Sequence, residues 1–396
     1  MKRRSFLVGA STLALAQLVS GCNRQQRAFL NVQLLKDSIP AQLLGEFKKT
    51  LQQPTALNFD PVEHIQDLFN HLQSWQQQAG RKDKQQKLPL PWVGGEPAAI
   101  ANLVTLGDYW LENAIAQKQK LIQPLNIQDS KLWQQLPPNW KNIVTRDNQG
   151  QRSDSGQVWG APYRWGTTVI AYNRDKLKAQ GIEPPNDWSD LWNPKLKGQL
   201  SLLDQPREVI GLTLKKLGFS YNSREFNQVP SLKKELLALH QQAKFYSSNH
   251  YLEPLILGDT SVALAWSNDV LPIMQSYREI KAVVPQSGTA LWADVWVKPA
   301  ALKDQSNSSE TDKLTKQWID FCWDKKSAQE ISLFTPGASP VLVSAERTQL
   351  PQDLRENRLL LPEPAVVNKS EFLEPLPKPV VVKYEELWKE IRTSSV

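Results

Sequence analysis

The segment from Asn186 to Val209 constrains the fold more than any other part of the chain. Asn186–Ser189 is predicted to cap a short helix, which stops before Pro194 because the residue before a proline is kept out of the α region. Gln199–Leu203 is then predicted to form a strand, and Asp204–Glu208 to open the next helix. Ligand sites of open α/β sheets lie at such carboxyl ends of strands. The segment therefore predicts an α/β fold with a binding site at this turn.

Length and composition indicate a globular protein of more than one domain. The chain has 396 residues, of which 40% are hydrophobic and 22% are charged. Those proportions are ordinary for globular proteins, and 396 residues exceed what a single small core normally organises. Two domains are the expectation.

The first 22 residues match an export and lipidation signal. Lys2–Leu7 carries the twin-arginine pattern, and an apolar run follows from Leu7 to Val19. Val19–Cys22 fits a lipobox, with small residues for the peptidase and a thiol to accept the lipid. We therefore predict a twin-arginine lipoprotein signal peptide at 1–21 and lipidation of Cys22.

Lipidation would place the mature protein in the periplasm, anchored to a membrane surface, with residues 22–28 as a polar tether. Stable anchoring takes more than one acyl chain, which a lipoprotein supplies. The alternative is that Cys22 is an ordinary cysteine and the apolar run a transmembrane helix. That run is too short for a comfortable crossing.

Charge, cysteines and histidines argue against several classes of protein. The formal net charge is +7, and removal of the signal peptide takes away three positive charges and leaves +4. That charge does not favour nucleic-acid binding, and no basic run is interleaved with aromatic residues. The two cysteines and four histidines show no metal-ligand spacing, and no nucleophile–base–orienter set can be assembled. Neither a metal, a cofactor nor catalysis is predicted.

Apolar periodicity predicts the principal helices. The predicted helices are Pro40–Leu51, Pro61–Gln78, Ser231–Phe245, Asp312–Phe334 and Val381–Ile391. These lie between short apolar strands, which again favours an α/β architecture.

A strand at Leu291–Val297 places a carboxylate among tryptophans. Trp292, Asp294 and Trp296 alternate onto one face of this strand. A carboxylate beside two indoles is expensive in a dry core, so the pattern favours a solvated cleft. The 15 tryptophans of the chain are expected to be mostly core residues, with a few lining such a cleft.

Four segments resemble the polyamine-binding proteins, which are the spermidine/putrescine receptors of ABC importers. Trp188–Gly198 follows the pattern W-x-D-L-W-x-P-x-x-K-G, and Asp204–Glu208 follows D-x-x-R-E. Pro162–Asn173 is similar to the receptors' P-Y-x-W-G-x-x-x-I-x-x-N strand, and Trp292–Asp294 to their W-x-D strand. The resemblance covers most of the chain after residue 100.

This resemblance implies a two-lobed α/β fold of the periplasmic-binding-protein-like type II. Each lobe would have a central mixed β-sheet flanked by helices, with a cleft between the lobes. The expected first lobe is 29–164 with 292–345, and the second is 165–291. Residues 346–396 would form a C-terminal segment that packs across both lobes.

The resemblance also implies a function in transport. The expected protein is a monomeric extracytoplasmic solute-binding lipoprotein that delivers a small cationic amine, polyamine or similar, to an ABC permease. Carboxylates would pair with the ammonium groups, and aromatic faces would hold the methylene stem and the cation. The predicted ligand-binding residues are Glu208, Asp294, Trp266, Trp292, Tyr109, Gln205 and Asp204.

The chain departs from the receptor pattern at several of its binding positions. Leu35 and Ser38 stand where the receptors have a tryptophan and a tyrosine, and Ala338 stands for another tyrosine. Gln205 replaces one expected carboxylate with a neutral amide. These changes imply the same fold and transport role with a changed ligand, and shorter amines should bind better than long polyamines.

Two alternatives use the same lobes for a different purpose. In the first, the cleft binds a small organic anion with Arg164 or Arg207 as counter-charge, since helix N-termini favour anions. In the second, the protein is an envelope lipoprotein with a vestigial cleft and a structural role.

Overall fold

A computed structural model describes residues 29–53, 55–82, 99–302 and 309–394 of the chain. The predicted signal peptide, the tether and Cys22 lie outside the described residues. Within those ranges, no helix combines the length and the apolar character that crossing a membrane requires.

Strands and helices alternate along most of the described chain. The strands are β1 Phe29–Leu35, β2 Ala56–Val62, β3 Leu103–Gly107, β4 Ile122–Gln123, β5 Thr145–Arg146, β6 Gln157–Val158, β7 Ala161–Asn173, β8 Leu200–Leu202, β9 Ala243–Tyr246, β10 Val262–Trp266, β11 Ile280–Val283, β12 Ala290–Pro299 and β13 Glu371–Phe372. The α-helices are α1 Ala41–Thr50, α2 Ile65–Lys82, α3 Leu111–Ile115, α4 Lys131–Gln135, α5 Pro138–Asn142, α6 Arg174–Ala179, α7 Pro206–Lys216, α8 Leu232–Gln242, α9 Glu253–Leu257, α10 Ser267–Ser276, α11 Ser309–Trp323, α12 Lys325–Phe334, α13 Gln352–Glu356, α14 Pro364–Val367 and α15 Lys378–Thr393. Short 3₁₀ helices occupy Asp108–Trp110, Trp188–Trp192, Pro194–Leu196, Phe226–Gln228, Ala300–Leu302, Pro340–Ser344 and Arg347–Gln349.

Most strands join one mixed sheet in the order β2–β1–β3–β12–β7–β10–β8–β9. The outer pairs β1–β2 and β8–β9 are parallel, whereas β12 and β7 at the centre run antiparallel to each other. Helices cover the faces of this sheet, so the predicted α/β class with central mixed strands is confirmed.

Two hydrophobic cores divide the described residues, and β7 and β12 connect them. Trp165 of β7 packs in the first core, while Val169 of the same strand packs in the second. At the start of β12, Ala290 belongs to the second core and Leu291 to the first. Because each strand continues unbroken through both cores, small backbone rotations between them can move one lobe against the other.

The C-terminal segment contacts both cores. Phe372 of β13 packs in the first core, whereas Trp388 of α15 packs in the second. Glu371 attaches the segment to the loop after α7, because its carboxylate accepts hydrogen bonds from Ser220 Oγ at 2.6 Å and from the Tyr221 N–H at 2.9 Å.

The largest differences between predicted and observed helices concern three of the five predictions. The prediction of helix from Pro61 was wrong, because β2 continues to Val62 and the helix α2 begins only at Ile65. Pro61 is tolerated there because β2 is an edge strand that pairs only with β1. The end of the predicted helix 231–245 instead forms the edge strand β9. The predicted helix 312–334 is divided into two helices at Asp324. Asp324 Oδ1 accepts from the Lys326 N–H and so caps α12.

Candidate functional site

Glu208 lies in the first turn of α7, directly after β8. Pro206 takes the first helical position, where its missing N–H costs nothing, and Gln205 is the extended residue before it. Glu208 is 7% exposed. The strand–turn–helix predicted from the sequence is therefore present, with its glutamate turned inward.

Two neighbouring strands hold the Glu208 carboxylate. Trp266 Nε1 at the end of β10 donates to Oε1 at 3.1 Å, and Thr168 Oγ1 of β7 lies 3.1 Å from both oxygens. Trp266 and Thr168 are direct partners in the β10–β7 register. Burial raises the pKa of Glu208 above its ordinary value of 4.5, while the hydrogen bonds from Trp266 and Thr168 favour the ionised form and oppose that shift.

Arg164 and Asp294 form a buried ion pair on the two central strands. They face each other in the β7–β12 register, and Asp294 Oδ2 accepts from Arg164 Nε at 2.8 Å and lies 2.6 Å from Nη2. The side chains are 3% and 6% exposed. Burial lowers the pKa of Arg164, but the Asp294 carboxylate, together with Tyr163 and Asp269, outweighs this and the net pKa is raised. The sequence predicted a solvated cleft around Asp294, whereas in the structure an arginine neutralises it.

Trp292 lies beside this ion pair on the same face of β12. The Arg164 guanidinium carbon is 5.9 Å from the centroid of its ring. Trp292 is paired with Gly166 of β7, where a Cβ atom would come within 2.2 Å of Trp292 Cζ2 and 2.5 Å of Ser267 Oγ. Only glycine fits at 166, so this close approach fixes the indole over the strand.

The structure thus places four of the seven predicted ligand residues along one face of β7. Glu208 and Trp266 surround Thr168, whereas Trp292 and Asp294 surround Gly166 and Arg164. These positions alternate along β7, so their side chains point the same way.

The other three predicted residues do not contact this row of side chains through the hydrogen bonds that the structure gives them. Asp204 Oδ1 accepts from Trp388 Nε1 of the C-terminal helix at 3.0 Å. Gln205 Nε2 donates to Ser248 Oγ at 3.0 Å. Tyr109 is 51% exposed at the turn after β3. Their roles as ligand groups stay predictions.

Tryptophan burial separates core residues from candidate cleft residues. Among the residues described, ten tryptophans are buried in the cores. Those that keep part of their surface accessible are Trp110, Trp192, Trp266 and Trp292. Two of these four are the tryptophans that the sequence predicted to wall the ligand.

Sequence reasoning missed the supporting groups Thr168 and Asp108. Thr168 could have been found by alternation, since it lies two residues from Gly166 and four from Arg164 on the predicted strand. Asp108 follows β3, and its Oδ1 accepts from the Ala293 N–H of β12 at 2.9 Å. Burial raises the pKa of Asp108 to about 6.

The chain matches known proteins over more than half of its length. The sequence profile of the family described as bacterial extracellular solute-binding protein matches residues 99–362. The spermidine/putrescine-binding periplasmic protein of Salmonella typhimurium is 24% identical over 291 residues, which cover 74% of this chain and 77% of that protein. The putrescine/cadaverine-binding protein of Pseudomonas aeruginosa is 28% identical over 253 residues, covering 60% and 68%.

Solved structures share the fold across most of the chain. A spermidine/putrescine ABC transporter substrate-binding protein from Streptococcus pneumoniae superposes with a TM-score of 0.73 at 20% identity, covering 92% of this chain and 98% of that one. A periplasmic thiamin binding protein superposes with a TM-score of 0.54 at 14% identity, covering 95% and 100%. The predicted two-lobed periplasmic-binding-protein-like fold is confirmed. With the profile matching well over half of its length, this chain belongs to the bacterial extracellular solute-binding proteins.

Proposed function

We propose that this protein is an extracytoplasmic solute-binding lipoprotein that captures a small cationic amine and delivers it to an ABC permease. In this proposal it acts as a monomer without a cofactor and catalyses no reaction. The polyamine-binding relatives support the amine class and the transport role.

One observation carries the proposal: Glu208 is a buried carboxylate with an indole at its side. An ammonium group is attracted both to a carboxylate and to the face of an aromatic ring. The hydrogen bonds from Trp266 and Thr168 hold the carboxylate in place before any ligand arrives. An ammonium at Glu208 would also offset the burial that raises the pKa of this carboxyl.

The contacts of the two candidate arginines argue against the organic-anion alternative. Arg164 is paired with Asp294. Arg207 donates from Nη1 to the Glu374 carbonyl at 3.0 Å and from Nη2 to Asn222 Oδ1 at 2.9 Å. An anion would have to compete with both sets of partners, and its charge would also face Glu208.

We also propose the lobe boundaries 29–164 with 292–345, and 165–291, with 346–396 packing across both. The change of core membership supports a division close to these positions, since Trp165 and Leu291 still pack in the first core while Val169 and Ala290 pack in the second. The lobes would close on the ligand by bending at these two strands.

Calorimetric titration tests the amine function. Putrescine should bind the mature protein, whereas citrate should not, because only a cation satisfies the Glu208 carboxylate. A native mass spectrum of freshly purified protein should show an amine that dissociates on unfolding. Binding of citrate without binding of putrescine would reject the proposal in favour of an anion receptor.

We predict that Cys22→Ala releases the protein from membrane fractions into the soluble periplasmic fraction. The thiol of Cys22 is the proposed lipid acceptor, so its loss removes the anchor. Cys322→Ala is the matched control, because that thiol is 1% exposed in the core and should not affect anchoring. Equal membrane retention of Cys22→Ala and wild type would show that no lipid is attached at this position.

A further inference from the structure

The Arg164–Asp294 pair lies on the same face of β7 as Thr168, the residue that contacts Glu208. Arg164 and Thr168 are the two ends of the row Arg164, Gly166 and Thr168 on that face. Two of the arginine nitrogens approach a single oxygen, Asp294 Oδ2, at 2.8 and 2.6 Å. Charge-assisted contacts of this kind are short and strong, and both side chains are almost completely removed from water. The Asp294 charge is therefore already neutralised by a group of the protein itself.

The guanidinium also occupies a position beside an indole. It lies 5.9 Å from the centroid of the Trp292 ring while bound to the carboxylate. A carboxylate together with an indole is the same combination that Glu208 and Trp266 offer at the other end. A ligand ammonium and the Arg164 guanidinium would thus satisfy the same two groups.

Two glycines make room for this arrangement. A Cβ at position 337 would come within 2.5 Å of Arg164 Cγ, and one at position 166 within 2.2 Å of Trp292 Cζ2. The turn that carries Gly337 is fixed to β7, because the Ala338 N–H donates to the Trp165 carbonyl at 2.9 Å and the Trp165 N–H donates back at 2.8 Å. Arg164 is consequently held in place along its stem as well as at its charged end.

Strand geometry sets the distance between the two ends. Arg164 lies four residues before Thr168, the β7 partner of Glu208, which corresponds to roughly 13 Å along an extended strand. A short amine bound at Glu208 can lie over Gly166 and against Trp292 without reaching Arg164. A long amine bound at Glu208 would bring its far terminal ammonium against the guanidinium, and like charges repel.

We propose that Arg164 restricts this site to short amines, because its guanidinium occupies the place beside Asp294 and Trp292 that the far terminal ammonium of a longer amine would take. The inference rests on the proposed amine-binding function and names its substrate class. The ligands are amines that place one ammonium at Glu208 and carry no other ammonium as far from it as the far end of spermidine. Arg164 is a specificity-determining residue in this account.

Titration of putrescine and spermidine against wild type and Arg164→Gln tests the inference. Wild type should bind spermidine more weakly than putrescine. In Arg164→Gln the freed Asp294 can accept the distant ammonium, so spermidine affinity should rise by roughly tenfold or more, the effect of one charge-assisted bond, while putrescine affinity changes little. Arg152→Gln is the control, since it removes the same charge from a residue paired with Glu374 instead.

A second variant keeps the test decisive if Arg164→Gln, which leaves Asp294 unpaired, folds poorly. Arg164→Gln combined with Asp294→Asn removes both charges of the pair and so leaves neither partner as an unpaired buried ion. Spermidine should then approach the affinity of putrescine without exceeding it, because the repulsion is gone but no carboxylate has been gained. The rise in thermal unfolding temperature with each amine should rank the affinities in the same order and is an independent measurement.

The outcomes separate this inference from the proposed function. If putrescine binds but the ratio of spermidine to putrescine affinity is the same in wild type and in both Arg164 variants, the role of Arg164 is refuted and amine binding stands. If neither amine binds any of the proteins, the amine function itself is refuted.

Discussion

Asp294→Asn is expected to lower the free energy of unfolding by about 3 kcal/mol at neutral pH, because it leaves the Arg164 guanidinium buried without a counter-ion. Both side chains are almost completely removed from water, with exposures of 3% and 6%. Urea denaturation followed by tryptophan fluorescence measures the change. The double variant Arg164→Met with Asp294→Leu should lie close to wild type, since apolar replacement of a buried pair is often neutral or stabilising.

The chain contains a matched control at the surface. Lys36 and Glu63 are also 2.6 Å apart, but their side chains are 50% and 65% exposed. Glu63→Gln should leave the unfolding curve unchanged, because exposed ion pairs contribute little. Equal changes in the free energy of unfolding for Asp294→Asn and Glu63→Gln would contradict the view that burial makes the loss of Asp294 costly.

Glu208→Gln is expected to weaken putrescine binding by roughly 10- to 100-fold, since a hydrogen bond to a charged group contributes about 1.5–3 kcal/mol. Glutamine keeps the size and one acceptor but not the charge. Glu253→Gln is the control, because that carboxylate is exposed at the surface beside His250. Calorimetry that ranks Glu253→Gln as an equally or more damaging change would reject Glu208 as the ammonium partner.

The same substitution has a pH signature. Burial raises the pKa of Glu208 above 4.5, so protons compete with the ammonium at a higher pH than they would for an exposed glutamate. Affinity of wild type should fall as pH is lowered through this raised pKa, and Glu208→Gln should lose that dependence. The stability of the ligand-free protein should depend on pH in the opposite direction. A carboxyl with a raised pKa favours the protonated folded state, so its contribution to stability falls as pH rises. An acid-side loss of affinity that persists in Glu208→Gln would assign the titration to another group.

The sequence predicted features that depend on neighbouring residues. Pro206 and Glu208 mark a helix start because proline fits only the first turn, and the structure has α7 beginning at Pro206. The alternation of Trp292, Asp294 and Trp296 predicted a strand, and β12 spans all three. The same local signals failed at Pro61, where a strand with an edge position overrode the helical pattern.

What the sequence determined by itself is the family, the order of the principal elements and the inward face of each central strand, because these follow from residue spacing and backbone preference. Only the tertiary structure decided the partners. Arg164 meets Asp294 from 130 residues away, Glu208 meets Trp266 from 58, and Asp204 is held by Trp388 from 184. The physical reason is that strand register and the packing of the C-terminal helix set which charges face each other, and neither is encoded within any local stretch.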